Sequence, residues 1–422
     1  MELISPAGSL KKLKYAIEFG ADVVYCGIPD FSLRARVNDF NLKTLHQGID
    51  FARSRNKKVY ITLNIFPREK HFAKLAEHIK WLRTVKPDAL VVSDPGVLVL
   101  IKKIWPKANI HLSTQANCIN SESAKFWARQ GVSRVILARE TTLEEIKKIH
   151  KAAPKVELEC FVHGAMCMSY SGRCLLSQFF TKRSANLGDC TQPCRWSYKM
   201  LREPQHDRVL LIEEDDSGSY IMNSKDLCLV EYLRDLAKAG ISSFKIEGRS
   251  KSIYYVAGVT KVYRAAIDSL VETRHVSSLD KYYIKELKKY QNRGFTTGFL
   301  FGKEKCARLR GASAWQGQKT DASHETCEWE FCGEVVGGYE ATNHSNVTNL
   351  RIIKVLVHNQ IFVGDEIEFV PPVGKVFKQK ITKIFDKDMK RIKEAHGGQK
   401  QEIYLEINKN VPEMTLLRRK IV

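Results

Sequence analysis

Eight short apolar runs recur through the N-terminal part of the chain: Leu3–Ser5, Val23–Cys26, Val59–Asn64, Ala89–Ser93, Ile110–Thr114, Arg134–Ala138, Val156–Val162 and Ser243–Glu247. They are near-continuous rather than alternating, as strands buried on both faces should be. Helical patterns fill the intervals. Thr142 to Glu145 read as a capping box opening a helix that carries Ile146 and Ile149. Leu229, Leu233 and Leu236 share one helical face, and Gly240 ends that helix. Eight such alternations predict an α/β fold, a closed (β/α)8 TIM-like barrel. An open doubly wound sheet is the alternative, weakened because no GxGxxG follows a run.

Tyr220–Ser224 is a ninth strand-like segment. It is assigned to the loop after the seventh run, because Lys225–Ala239 is expected to supply the next helix. That loop then spans 163–224, a length that compact domains reserve for functional segments. In a (β/α)8 barrel it sits on the C-terminal face, where active sites are built. Residues 275–300 read as a helical extension ending near Arg293-Gly294, and residues 301–323 as a linker. Beyond it the texture becomes short strands: Glu328–Val336, Leu350–Val357, Asp365–Val370, Val376–Ile384 and Glu402–Ile407. Turn chemistry at Gly364-Asp365 and Pro371–Gly374 separates some of them. The expected organisation is a catalytic barrel over 1–300, the linker, and a small C-terminal β-barrel over 324–422.

With 44% hydrophobic residues among 422, composition is that of a globular protein. No apolar run is long enough to span a membrane. The opening MELISPAGSL meets charge at Lys11 and does not read as a leader. A cytoplasmic protein with reduced thiols is expected. The formal charge of +21 favours a polyanion partner, with RNA the sharper reading and generic basicity the bland one.

Four of the eleven cysteines change the picture: Cys167, Cys174, Cys190 and Cys194 form C-x6-C-x15-C-x3-C. The other seven, Cys26, Cys118, Cys160, Cys228, Cys306, Cys327 and Cys332, are mostly flanked by apolar residues and read as small core groups. The cluster admits a structural zinc site, an iron–sulfur site, or a nucleophilic cysteine with His163 as base. Spacing leaves the first two level. The third leaves thiols unexplained. Glu159, on the same strand as His163, is expected as a buried, paired carboxylate.

Polar residues collect where the strands should end: Ser5, Asn64, Asp94, Gln115, Asn117, Arg139, Glu140, Asn223, Glu247 and Arg249. Apolar strands with polar tips suit a barrel mouth that binds a small polar ligand. Arg34, Arg36, Arg139 and Arg249 can each grip a carboxylate, or serve as rim salt bridges. Trp196 and Tyr198, beside Arg195, either stack on unpaired bases or cover a cluster.

The segment from Glu159 to Ser177, ECFVHGAMCMSYSGRCLLS, resembles the signature of the collagenase-like peptidase family U32. ELISPAGSLKKLKYAIEFGADVVYCG, HLSTQAN (111–117), YIMNSKDL (220–227) and FKIEGRSKS (244–252) are similar to further motifs of that family, in the same order. Ser32-Leu-Arg34-Ala-Arg36-Val-Asn-Asp-Phe40 resembles its tRNA-modifying branch. The resemblance implies a hydroxylase forming 5-hydroxyuridine at the tRNA wobble position. It also implies prephenate as co-substrate and a [4Fe–4S] cluster on Cys167, Cys174, Cys190 and Cys194, with Cys228 in reserve. His163 and Glu159 are the candidate catalytic residues on the seventh strand. Arg34, Arg36, Gln115, Arg139, Asn223, Glu247 and Arg249 are the expected substrate contacts. A collagenase-like peptidase and a non-catalytic iron–sulfur scaffold remain as rivals. The insert at Ser197–Ser219 is shorter than that branch often carries.

Overall fold

In the computed structural model, the described residues are all of 1–422 except 30, 33–37, 168, 171–172, 197–222, 273–276, 303–323, 341–350, 400 and 422. Ten strands belong to the first part: β1 (Glu2–Pro6), β2 (Val23–Gly27), β3 (Lys58–Leu63), β4 (Ala89–Val92), β5 (Ile110–Leu112), β6 (Arg134–Ile136), β7 (Glu157–Ala165), β8 (Asp226–Cys228), β9 (Ile241–Ile246) and β10 (Phe295–Thr296). Strands β1 to β7 pair in sequence order, and β9 joins both β7 and β1 in parallel, closing the ring. The result is an eight-stranded parallel barrel. Each expected apolar run overlaps one of its strands.

Helices α1 (Leu10–Glu18), α2 (Leu42–Ser54), α3 (Phe72–Val85), α4 (Pro95–Ile104), α5 (Ser121–Arg129) and α6 (Leu143–Ala152) follow the first six strands. All of these starts except that of α3 carry a side-chain cap. Thr142 and Glu145 exchange bonds at α6, with Thr142 N donating to Glu145 Oε2 at 2.7 Å. Asp94, expected at the barrel mouth, caps α4 by accepting from Val97 N at 3.1 Å. Ser5 likewise turns to Thr260, 2.7 Å away. The loop after β7 holds α7 (Leu176–Thr181), and α8 (Leu233–Lys238), α9 (Ile253–Glu272) and α10 (Ser277–Leu287) complete this part.

Two expectations need correction here. Lys225–Ala239 is not one helix: Asp226–Cys228 forms β8, antiparallel to the end of β7, with His163 opposite Cys228. The reason is a buried ion pair. Arg293 Nη2 donates to Asp226 Oδ1 at 2.6 Å, pulling this segment against β10. The extension over 275–300 is likewise only partly helical, because Gly294, with φ +76°, turns the chain into β10.

The N-terminal end of the barrel is plugged by charge. Arg134 Nη1 donates to Glu2 at 2.6 Å and to Glu159 at 3.3 Å. Lys245 Nζ donates to the other Glu159 oxygen at 2.7 Å. Glu159 is fully buried, so its single charge must be offset by cations held this close to its two oxygens.

The C-terminal part comprises β11 (Trp329–Glu340), β12 (Arg351–Val357), β13 (Ile361–Phe362), β14 (Glu366–Val370), β15 (Phe377–Lys380), β16 (Ile384–Phe385), β17 (Arg391–Ile392), β18 (Glu394–Ala395), β19 (Glu402–Ile407) and β20 (Leu416–Lys420). Its main sheet runs β15-β14-β20-β11-β12-β19-β16-β17, an antiparallel half-barrel. The single strand expected over Val376–Ile384 is two, β15 and β16, on opposite ends of that order. The half-barrel docks on the (β/α)8 barrel through buried ions. Arg418 donates to Glu368 (2.9 Å), Glu286 (2.7 Å) and Tyr290 (3.1 Å). Lys11 Nζ reaches Glu334 at 2.6 Å, and Tyr15 also donates to that carboxylate. Among the described residues, no helix is long and apolar enough to cross a membrane.

Candidate active site

The C-terminal mouth of the barrel opens into a solvent-connected cavity. Its floor comes from strand ends: Tyr25 of β2, Thr62 of β3, Val91 of β4, Ile136 of β6, Phe161 of β7 and Lys245 of β9. Its rim comes from the residues just beyond them, Asn64, Gln115, Arg139, Glu247 and Arg249. The loop after β7 supplies the remaining wall, and all four clustered cysteines, Cys167, Cys174, Cys190 and Cys194, lie on it.

Strand alternation explains the floor. Ser243, Lys245, Glu247 and Arg249 fall at every second position, so they share one face of β9 and its continuation. Lys245 Nζ sits 4.4 Å from the Tyr25 ring centre and is bound to Glu159 below. Burial lowers its pKa, and Glu159 opposes that. Arg249 Nη1 donates to Thr62 Oγ1 at 3.1 Å. Arg139 stacks over Phe161 with 4.1 Å between guanidinium carbon and ring centre. Three cations therefore converge on a pocket whose lining carries one carboxylate, Glu247. Asn64 Nδ2 donates to Gln115 Oε1 at 3.0 Å and to Ser113 Oγ at 3.1 Å, fixing a polar edge between β3 and β5.

Two glycines leave room for these side chains. A Cβ on Gly27 would lie 2.8 Å from Arg249 Nη1. Gly164, with φ +109°, lets β7 pass beside Glu247, where a Cβ would approach the Glu247 carbonyl oxygen to 2.6 Å.

Three of the four cysteines lie close enough to feel one another's charge. Burial raises the Cys194 pKa, and the neighbouring Cys167 and Cys190 add to the same effect, so three thiols share one electrostatic environment. Gln192 N donates to Cys190 Sγ at 3.4 Å, the kind of backbone bond that steadies a thiolate. No three His, Cys, Asp or Glu among the described residues gather tightly enough to hold one metal ion.

Other expected site residues lie off this wall. His163 is buried, with Nδ1 3.3 Å from the Tyr263 hydroxyl and its ring packed among Tyr255, Tyr263 and Phe295. Burial depresses its pKa to about 4. Glu159 is enclosed beneath the floor, and Asn223 accepts from Arg293 Nη1 at 3.2 Å in the neighbouring Asp226 cluster. Cys228 faces Tyr263 at 3.8 Å, its thiol pushed up to about 12 by burial. Trp196 is exposed. Arg34, Arg36, Tyr198, Cys306 and most of 163–224 beyond Trp196 lie outside the described residues. Lys245 was missed by reading the sequence, although its alternation with Glu247 and Arg249 carried the signal.

A (β/α)8 barrel with thiols and cations at its C-terminal mouth defines the class: an enzyme-type site on a barrel face. The chain belongs to peptidase family U32. The family model matches residues 8–310, and the model of the U32 C-terminal domain matches 327–418. The chain is similar to tRNA hydroxylation protein P of Haemophilus influenzae, 38% identical over 94% of this chain and 91% of the relative. It is similar to tRNA hydroxylation protein P1 of Bacillus subtilis, 33% identical over 99% and 94%. A collagenase of Porphyromonas gingivalis is 30% identical over 95% and 94%.

Proposed function

We propose that this chain is a tRNA-modifying hydroxylase that forms 5-hydroxyuridine at the wobble position, using a [4Fe–4S] cluster and prephenate. The carrying observation is the cavity itself, which sets four cysteines and three cations on one barrel mouth. The full-length likeness to proteins named for tRNA hydroxylation supplies the reaction class.

Cys167, Cys174, Cys190 and Cys194 would hold the cluster, which contributes a redox-active iron centre when bound. The remaining wall binds and orients. Prephenate carries two carboxylates, and Arg139, Arg249 and Lys245 offer them bidentate and point-charge partners in a largely enclosed pocket. The uracil must leave its stack to reach such a depth, which an unpaired anticodon base does at low cost. The Asn64–Gln115 edge is placed to meet its polar rim. Glu159 acts at one remove, by keeping Lys245 charged and in position. His163 seats the end of β7, its carbonyl accepting from Glu247 N at 2.9 Å.

Lys375, Lys380, Lys387, Lys390, Arg391 and Lys393 are exposed on the half-barrel and would meet the tRNA backbone. The substrate implies work in the cytoplasm. Nothing in the geometry favours the peptidase reading, since His163 faces Tyr263 rather than a cavity thiol. Mass spectrometry of tRNA nucleosides from cells lacking the gene tests the proposal. Loss of 5-hydroxyuridine, restored by the wild-type gene, is expected. Unchanged levels would overturn it.

A further inference from the structure

Helix α7 is built inside out. Ser177 is its buried residue, bonded to Thr191 Oγ1 at 2.9 Å and accepting from Thr191 N at 3.0 Å. Its large apolar residues face solvent instead: Leu175, just before it, is 69% exposed, Phe179 75% and Phe180 45%. Burial of apolar surface would drive the opposite arrangement. Trp196, 41% exposed, joins them with its ring centre 6.1 Å from that of Phe180, and Phe179 meets Phe180 edge-on at 5.1 Å. Tyr170, half exposed, continues the patch to the cavity, whose wall it shares with the four cysteines.

The patch has a basic border. Arg173 and Lys182 are exposed, and Arg183 and Arg195 are part-buried beside it. Arg183 is anchored through Asp189 at 2.6 Å. Exposed aromatics interleaved with cations, at the lip of a pocket and on a chain of net charge +21, match the chemistry of unpaired nucleotides: rings stack on bases while cations track phosphates.

Resting on the RNA-hydroxylase reading, we propose that Phe179, Phe180 and Trp196 form a stacking platform for the unpaired bases that flank the target nucleotide. It would hold the splayed loop while the target enters past Tyr170. Recognition there is by stacking and backbone charge, so it is tolerant of the flanking sequence.

The test is fluorescence anisotropy of the full chain with two labelled RNA hairpins of equal charge, one with an unpaired loop of normal bases and one with an abasic loop. The wild type is expected to bind the normal loop about tenfold or more tightly than the abasic one. The Phe180→Ala/Trp196→Ala double variant should lose that preference but keep its affinity for the abasic hairpin. The Phe180→Tyr/Trp196→Phe variant should retain the preference, which guards against a folding artefact. Equal binding of both hairpins by the wild type, or an undiminished preference in the alanine variant, overturns the platform while leaving the hydroxylase reading intact. Binding of neither hairpin overturns both.

Discussion

Lys245 Nζ donates to Glu159 Oε1 at 2.7 Å inside the barrel, and the same ammonium forms part of the cavity floor. The charge plug at one end of the barrel is thereby joined to the site at the other. Glu159 offsets the burial of Lys245 and shares that role for Arg134 with Glu2. Glu159→Gln leaves buried Lys245 without its carboxylate and is expected to destabilise the fold by about 3 kcal/mol. Urea unfolding measures this. A loss below about 1 kcal/mol would show that the pair is dispensable.

Acid should weaken the fold through His163. Its pKa is about 4 in the native state, below the ordinary 6.5, because it is buried. Between those values the unfolded chain binds a proton that the native chain does not, so stability falls as pH drops from 6.5 toward 4 and this contribution is flat below. The full loss is on the order of 3 kcal/mol. His163→Phe should keep the ring packing and flatten that slope in unfolding free energies measured across the window. An unchanged slope would place the acid sensitivity elsewhere.

Arg418 ties the half-barrel to the (β/α)8 barrel through Glu286 and Tyr290, and it also pairs with Glu368 of its own sheet. Replacing it with Met leaves Glu286 and Glu368 to share Lys289 at a buried interface, at a cost of about 3 kcal/mol. Calorimetry of Arg418→Met should then show two separate transitions where the wild type shows one. A single transition at the wild-type temperature would mean that the domains are coupled by other contacts.

The exposed cations of the half-barrel make a different prediction. Changing Lys387, Lys390, Arg391 and Lys393 to Glu should weaken tRNA binding and lower the slope of affinity against salt, roughly in proportion to the phosphates released. The catalytic rate on bound tRNA should be unaffected. Affinity and salt slope equal to those of the wild type would remove this surface from the tRNA footprint.

The fold was legible where pattern equals burial. Buried parallel strands are apolar along their whole length, so all eight announced themselves. Polar strand tips pointed to Gln115, Arg139, Glu247 and Arg249, which the cavity does gather. Legibility failed where a charge is buried. Leu416–Lys420 was not among the expected strands, yet β20 is an interior strand and Arg418 is 1% exposed, neutralised by carboxylates 132 and 50 residues away. Asp226 deceived in the same way, since only Arg293 explains why its segment is a strand. Lys245 was hidden inside an apolar run for the same reason, its partner lying on another strand. Such pairings are long-range, and no local pattern encodes them.

The central claim is that four thiols on the barrel mouth hold an iron–sulfur cluster. Anaerobic purification followed by iron and acid-labile sulfide analysis tests it most directly. About four irons and four sulfides per chain are expected, falling sharply in Cys174→Ala and Cys190→Ala. A colourless protein carrying one zinc and no sulfide would contradict the account.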